Sequence, residues 1–167
     1  IKKIDKNEVA ALKIFLGSST GNMLVDDNDI LRDIFLNTDL IIVVHSEDEQ
    51  IINENLEKYK SKYGSNIPFE LHSKIRSEEA CLKSTKKIIK LAKETNARLH
   101  VFHLSTKSES LLFDNSMPLK DKKITSEVCV HHLWFSDKDY AEKGTLIKWN
   151  PAVKTQEDQD ALWQALN

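Results

Sequence analysis

The stretch Leu40-Ile41-Ile42-Val43-Val44-His45 decides the fold, because a run of aliphatic residues ends in a single histidine. Successive side chains of a strand point to opposite faces, so both faces of this segment are apolar. A strand that is apolar on both faces is typical of a parallel sheet covered on both sides. The segment therefore predicts a buried parallel strand, and His45 lies where that strand ends.

Strand and helix patterns alternate on either side of this segment. Further strands are predicted at 12–16, 99–104 and 124–131, and helices at 29–37, 78–94 and 158–166. Strands that alternate with helices form βαβ units, which fit either an open doubly wound sheet or a closed (β/α)₈ barrel. His45 and His103 both end strands, which favours the barrel because its strand ends converge on one point. A full barrel takes about 250 residues, so 167 residues predict an α/β fold that is part of one.

The composition is that of one globular domain, since 40% of the 167 residues are apolar. Lysine and arginine total 24 against 26 acidic residues, and this balance argues against nucleic acid or an anionic membrane as a partner. The apolar run at 40–44 is far shorter than the roughly 20 residues of a membrane helix, and no signal peptide is visible. Cys81 and Cys129 lack zinc-type spacing, so we expect a reducing, cytoplasmic location.

Two histidines at strand ends are candidate metal ligands. His45 opens into an acidic loop, and His103 ends the next strong strand pattern. Strand alternation predicts that Val101 and His103 share the inner face, opposite His100 and Phe102. Imidazole is a common metal ligand, and two of them form a partial zinc site, although a catalytic zinc takes three protein ligands. From position alone, histidines that merely hydrogen-bond at the end of the sheet are an equally good interpretation.

Lys13 interrupts the apolar pattern of the first predicted strand. A free ammonium group is costly in a buried strand. Either the side chain points to water from an edge strand, or the amine has a lowered pKa and is modified so that it presents oxygen ligands. The sequence pattern leaves both interpretations open.

Other residues could support such a site. Glu127 is a possible hydrogen-bond partner that orients a ligand, and His131 is predicted on the same strand face with a supporting or packing role. Asn150 is predicted to close a short strand, where its amide would suit an amide- or imide-bearing ligand. An asparagine before proline is also common in turns. Arg76, close to the start of the long helix, is expected to be solvated.

Taken together, these segments resemble the dihydroorotases of the cyclic amidohydrolase superfamily. The resemblance is carried, in chain order, by the stretches Leu12–Phe15, Val44–Asp48, His103–Lys107, Glu127–Leu133 and Asn150–Thr155, the last leading into Asp160–Trp163. It covers nearly the whole chain. It implies that residues 1–167 are a single segment of a TIM-like barrel, about strands four to seven, with a zinc centre at the carboxyl ends of the strands.

The resemblance also implies roles for individual residues. Lys13 is similar to the lysine that is carboxylated by carbon dioxide and bridges two zinc ions. His45 and His103 resemble the imidazole ligands of the second zinc, and Asn150 resembles the residue that binds dihydroorotate. The family reaction is the reversible cyclisation of N-carbamoyl-L-aspartate to L-dihydroorotate in pyrimidine synthesis, so the expected partner is a small-molecule substrate.

Two features of that family are missing from the chain. No His-x-His pair, which binds the first zinc, occurs anywhere in the sequence, and no late strand supplies the aspartate that acts as ligand and base. Both are expected outside residues 1–167, so no catalytic residue is assigned here. The chain alone is expected to be inactive and to self-associate or dimerise. A hydantoinase, an allantoinase or a non-catalytic dihydroorotase-like subunit are the alternatives.

Overall fold

The computed structural model describes residues 4–5, 7–17, 24–25 and 27–166. Within these residues one parallel sheet has the strand order β1-β2-β3-β4. The strands are β1 (Ala11–Phe15), β2 (Ile41–His45), β3 (Leu99–Val101) and β4 (Ile124–Ser126). Because each strand pairs with the next one along the chain, the direction of winding never reverses. This order fits consecutive units of a barrel wall and not the switch point of a doubly wound sheet.

Helices follow the strands and supply the outer layer. The α-helices are α1 (Asn28–Leu36), α2 (Glu49–Tyr63), α3 (His72–Ile75), α4 (Glu78–Thr95), α5 (Lys107–Ser110), α6 (Val130–Trp134), α7 (Tyr140–Lys143) and α8 (Gln156–Ala165). Short 3₁₀ turns occupy Phe69–Leu71, Leu119–Asp121, Asp137–Asp139 and Gly144–Ile147. None of the helices in the described ranges is long and apolar enough to cross a membrane.

The main core lies between one face of the sheet and helices α1, α4 and α8. That sheet face contributes aliphatic side chains from β1, β2 and β3, namely Ile14, Ile42, Val44, Leu99 and Val101. The helices contribute Leu31 and Phe35 from α1, Ile88, Ile89 and Ala92 from α4, and Leu162 from α8. The opposite face is only partly buried. A barrel wall has this asymmetry, because helices cover the outer face and the inner face lines the interior.

Side-chain caps fix the points at which the helices leave the sheet. Asp48 accepts a hydrogen bond from the backbone N–H of Ile51 and begins α2 directly after β2. Ser77 accepts from the N–H of Ala80 and begins α4, as its capping pattern predicts. The sequence pattern did not predict α2. The acidic segment after His45, which was predicted to be a loop, is therefore the start of a helix.

Two strands are shorter in the structure than the sequence pattern predicts. The stretch 99–104 is a strand only to Val101, because the backbone of His103 turns to a positive φ of 41°. The stretch 124–131 is a strand only to Ser126. His131 therefore lies on α6, where Phe135 donates a backbone hydrogen bond to its carbonyl, and the predicted strand position of this histidine is wrong.

Candidate functional site

The two strand-end histidines meet at the carboxyl edge of the sheet. The Nδ1 atom of His45 lies 3.2 Å from the Nε2 atom of His103, and the two rings pack edge to face. His45 is buried at the last residue of β2, and His103 lies two residues beyond β3. The structure thus brings together the two imidazoles that the sequence analysis singled out.

The backbone at His103 makes this meeting possible. Val101 points into the helix-covered core, so strict alternation would have sent His103 to the same side, away from His45. Instead, the N–H of Phe102 bonds to Val44 and the N–H of Leu104 bonds to Glu127, on opposite neighbours. His103 sits between these anchors in the left-handed region, which non-glycine residues enter only at a cost. The predicted face assignment, with Val101 and His103 together, is therefore wrong, although the two histidines converge.

The buried carboxylate of Glu47 contacts the ring nitrogen of His45 that faces away from His103. Glu47 has no exposed surface, and its Oε2 atom lies 2.7 Å from Nε2 of His45. Arg76 grips the same carboxylate with two hydrogen bonds, from Nε to Oε1 at 3.1 Å and from Nη2 to Oε2. Arg76 is only 9% exposed, so the expectation that it is solvated is wrong. Glu47 is not among the site residues that were predicted from the sequence.

Burial and neighbouring charges set the protonation of these groups. Burial lowers the pKa of His103 to about 4, and the nearby His45 and Lys13 act in the same direction. Burial alone would raise the pKa of Glu47, but hydrogen bonds and charge from His45 and Arg76 outweigh it and lower the pKa to about 2. At neutral pH the site therefore contains a neutral His103 beside an ionised Glu47.

Lys13 lies on the inner face of β1, the face that also carries His45. Its ammonium group stands over the Phe102 ring, 3.9 Å from the ring centroid, and 5.0 Å from that of Phe15. Partial burial lowers the pKa of Lys13 to about 8, against the opposing charge of Glu127. An amine with this pKa has a substantial neutral fraction at physiological pH. Lys13 is nevertheless exposed, and β1 is an edge strand of the described sheet, as the water-facing alternative expects. The structure thus has a solvent-accessible lysine with a lowered pKa on the inner face of the sheet.

The three predicted supporting residues lie around this centre. Glu127 accepts from Nε2 of His100 at 3.2 Å, so its partner is His100 and not a strand-end ligand. His131 stacks on Trp149 with ring centroids 4.3 Å apart, directly before Asn150. Asn150 is exposed in a bend after a 3₁₀ turn, and its predicted position at the end of a strand is wrong.

The chemistry of the pair suits a zinc ion. Two nitrogens that bind one tetrahedral zinc at about 2.0–2.1 Å lie about 3.3 Å apart, close to the observed separation. The ring nitrogens of His45 and His103 already lie at about that spacing. Across the described residues, however, no group of three or more His, Cys, Asp and Glu side chains could hold a metal. The pair therefore fits part of a zinc site, and a third ligand must come from a modified lysine or from elsewhere.

The backbone of Glu47 packs so closely against Gly17 that no side chain fits at position 17. A Cβ atom at Gly17 would lie 2.4 Å from the backbone oxygen of Glu47, closer than real contacts allow. We expect Gly17→Ala to lower the free energy of unfolding by about 1–3 kcal/mol, because the backbone that carries Glu47 must shift. Urea denaturation measures this change. Unaltered stability together with unaltered His45 resonances would show that the loop yields without cost.

No family model matches the chain. A dihydroorotase of Pyrococcus furiosus is 28% identical over 158 residues, which cover 93% of this chain and 31% of the relative. An allantoinase of Bacillus licheniformis is 27% identical over 173 residues, which cover 98% of this chain and 37% of the relative. The chain thus spans about a third of the length of these curated relatives.

Solved structures agree on the fold. A D-hydantoinase from Bacillus sp. AR9 superposes with a TM-score of 0.84 at 20% identity, covering 96% of this chain and 35% of that one. A dihydroorotase from Campylobacter jejuni superposes with a TM-score of 0.62 at 18% identity, covering 95% of this chain and 41% of that one. The four-stranded parallel sheet therefore corresponds to part of a TIM-type barrel, as predicted. Dihydroorotases and allantoinases match the chain over almost its whole length, so the chain is similar to a fragment of a larger amidohydrolase.

Proposed function

We propose that the chain works as part of a zinc-dependent cyclic amidohydrolase that interconverts N-carbamoyl-L-aspartate and L-dihydroorotate. The observation that carries this proposal is the 3.2 Å approach of the His45 and His103 nitrogens at the ends of adjacent parallel strands. In barrel enzymes this edge of the sheet is where active sites are built. The similarity to dihydroorotases over most of the chain favours this ring amide among the substrates of the superfamily.

His45 and His103 would hold the metal through Nδ1 and Nε2, respectively. When bound, zinc would polarise a ring amide carbonyl and lower the pKa of water at the site. The protein keeps His103 neutral, as a ligand must be, because burial disfavours its protonated form. Phe15, which stacks against the His45 ring, helps to limit water around the pair.

Lys13 is the proposed bridging ligand after carboxylation. Its neutral amine would attack carbon dioxide, forming an N–C bond while one C=O π electron pair moves onto oxygen. The nitrogen releases one proton, so the neutral amine becomes an anionic oxygen donor. The lowered pKa of Lys13 and its place on the inner face beside Phe102 support this step. Carbon-13 NMR of protein kept in labelled bicarbonate would detect the carbamate, and Lys13→Arg removes the signal if the assignment is right.

Asn150 is proposed to bind the substrate. Its side chain is exposed in the bend that follows Trp149, and the ring of Trp149 is held by stacking on His131. A carboxamide both donates and accepts hydrogen bonds, which matches the N–H and C=O groups of a cyclic imide or amide. His131 would then act by supporting this segment.

The cytoplasm is the proposed location of the protein. Its two cysteines, Cys81 and Cys129, are free thiols, which is typical of a reducing compartment.

Allantoin hydrolysis is the second candidate, because the allantoinase relative matches this chain about as well as the dihydroorotase does. The decisive experiment assays the whole protein that contains this chain, loaded with zinc, on dihydroorotate, allantoin and hydantoin. We expect kcat/KM for dihydroorotate to exceed the others by at least about 100-fold, since a site that hydrogen-bonds its substrate strongly rejects imperfect analogues. Faster turnover of allantoin would replace the proposed substrate, and no turnover of any ring amide would refute the enzyme class.

We also propose that the 167-residue chain self-associates when it is produced alone. The inner face of the sheet is only partly buried at Phe15 and Phe102. Two large apolar side chains of α6 are more exposed still, Val130 at 80% and Trp134 at 77%. Exposed apolar surface and open strand edges favour association. We expect sedimentation at micromolar concentration to show dimers or larger species, and a stable monomer would contradict this prediction.

A further inference from the structure

The ion pair behind His45 is unusual because the fold surrounds it completely. Glu47 has 0% exposed surface, and Arg76 and His45 are 9% and 5% exposed. The three side chains form one line, in which Arg76 donates to Glu47 and Glu47 lies 2.7 Å from Nε2 of His45. Glu47 and Arg76 lie behind His45, and the hydrogen bond between Glu47 and His45 links them to the histidine pair.

The loop that carries Glu47 is anchored to α4 on both sides. The Ser46 hydroxyl donates to Ser84, and the N–H of Asp48 donates to the carbonyl of Ala80. Arg76 itself stands two residues before the first residue of α4. The same helix start thus fixes both partners of the buried pair. A salt bridge in such a setting contributes little net stability, because two charges must be desolvated, so stability alone does not account for it.

The hydrogen-bonding capacity of a carboxylate gives the line a specific consequence. An ionised carboxylate only accepts, so an imidazole of His45 that carries a single proton holds it on Nε2, facing Glu47. Nδ1 is then left with a lone pair, and Nδ1 is the atom that faces Nε2 of His103 at 3.2 Å. Without Glu47, nothing in this contact would decide which ring nitrogen of His45 carries the proton.

We propose that Glu47, clamped by Arg76, is a positioning residue that locks His45 in the tautomer with an unprotonated Nδ1 aimed at His103. This inference deepens the proposed zinc function and rests on it for its purpose. Carboxylates that hold the far nitrogen of a metal-binding histidine typically change metal affinity by about 10–100-fold when they are removed. Arg76 keeps Glu47 ionised and oriented through its hydrogen bonds. It therefore acts on His45 only through Glu47.

The first test uses the whole protein that contains this chain, freed of metal, so it does not depend on zinc. Nitrogen-15 NMR of the imidazole rings at neutral pH reports which nitrogen carries the proton. We expect His45 to be protonated on Nε2 in the wild type. The double variant Arg76→Met/Glu47→Gln removes both buried charges together, which spares the fold an unpaired ion, and a Gln amide can either donate or accept. We expect both tautomers of His45 to appear in this variant.

The matched control is Glu109→Gln. Glu109 is another buried carboxylate close to the sheet edge, but it accepts from Thr85 and Thr106 and from neither ligand histidine. We expect this variant to keep the wild-type tautomer of His45. A wild-type His45 protonated on Nδ1, or a double variant with an unchanged tautomer, would overturn the inference.

The second test is a calorimetric titration of the same three proteins with zinc chloride. We expect the zinc Kd to rise at least about tenfold in the double variant and to stay unchanged in Glu109→Gln. Equal affinity in the double variant and the wild type would overturn the positioning role. A wild type that shows the locked tautomer but binds no zinc would instead refute the proposed zinc function, so the two failures are distinguishable.

Discussion

Zinc affinity should fall by more than about 100-fold in His103→Ala, and the turnover of ring amides should fall with it. His103 supplies one of the two nitrogens that converge at 3.2 Å, so its removal leaves a single imidazole at this point. Loss of a direct ligand is expected to cost more than the about 10–100-fold that loss of a supporting group costs. Zinc content after dialysis and steady-state kinetics of the whole protein measure both effects.

His100→Ala is the matched control for this prediction. His100 lies on β3, three residues before His103, and its ring nitrogens contact Thr125 and Glu127. We expect this variant to keep the zinc content of the wild type. Retention of zinc and activity by His103→Ala would mean that the metal centre, if there is one, lies elsewhere.

Arg76→Met alone should lower the free energy of unfolding by about 3–5 kcal/mol, the largest stability effect that we expect in this chain. The substitution leaves the carboxylate of Glu47 buried beside His45 without its strongest partner. Adding Glu47→Gln to the same protein should recover much of the loss, because no unpaired charge remains. Urea denaturation of the single and double variants measures the difference.

Arg32→Met provides the control for that measurement. Arg32 also pairs with a glutamate, Glu94, but both side chains are about half exposed. We expect this variant to lose no more than about 1 kcal/mol, because solvent screens exposed ion pairs. If the two arginine variants lost the same stability, the buried pair would have no special energetic role.

Much of the fold could be predicted from local patterns. The apolar run that ends in His45 predicted β2, and the capping serine Ser77 with its apolar stripe predicted α4 nearly to the residue. These features depend on neighbours along the chain, which a sequence displays directly. The helix α2 is hard to predict because its apolar stripe is weak. A start signal is nevertheless present, since Asp48 is a capping residue that precedes Ile51 and Ile52.

The site was harder to predict than the fold. His103 was assigned to the wrong face because alternation was carried past Val101, and one left-handed residue reverses it. A pattern rule cannot foresee such a break, since tertiary contacts on both sides stabilise it. Arg76 and Glu47 are 29 positions apart, so their pairing is visible only in three dimensions. A signal for Glu47 did exist, because a residue two positions after His45 can share its side of the chain.

The contact between the two imidazoles also bears on how folding relates to the proposed zinc function. A hydrogen bond between Nδ1 of His45 and Nε2 of His103 lets each nitrogen satisfy the other. Small zinc domains stay unfolded until the ion is bound. If the proposed zinc function is right, the fold around this pair should instead form without the ion, and binding of the ion would follow folding.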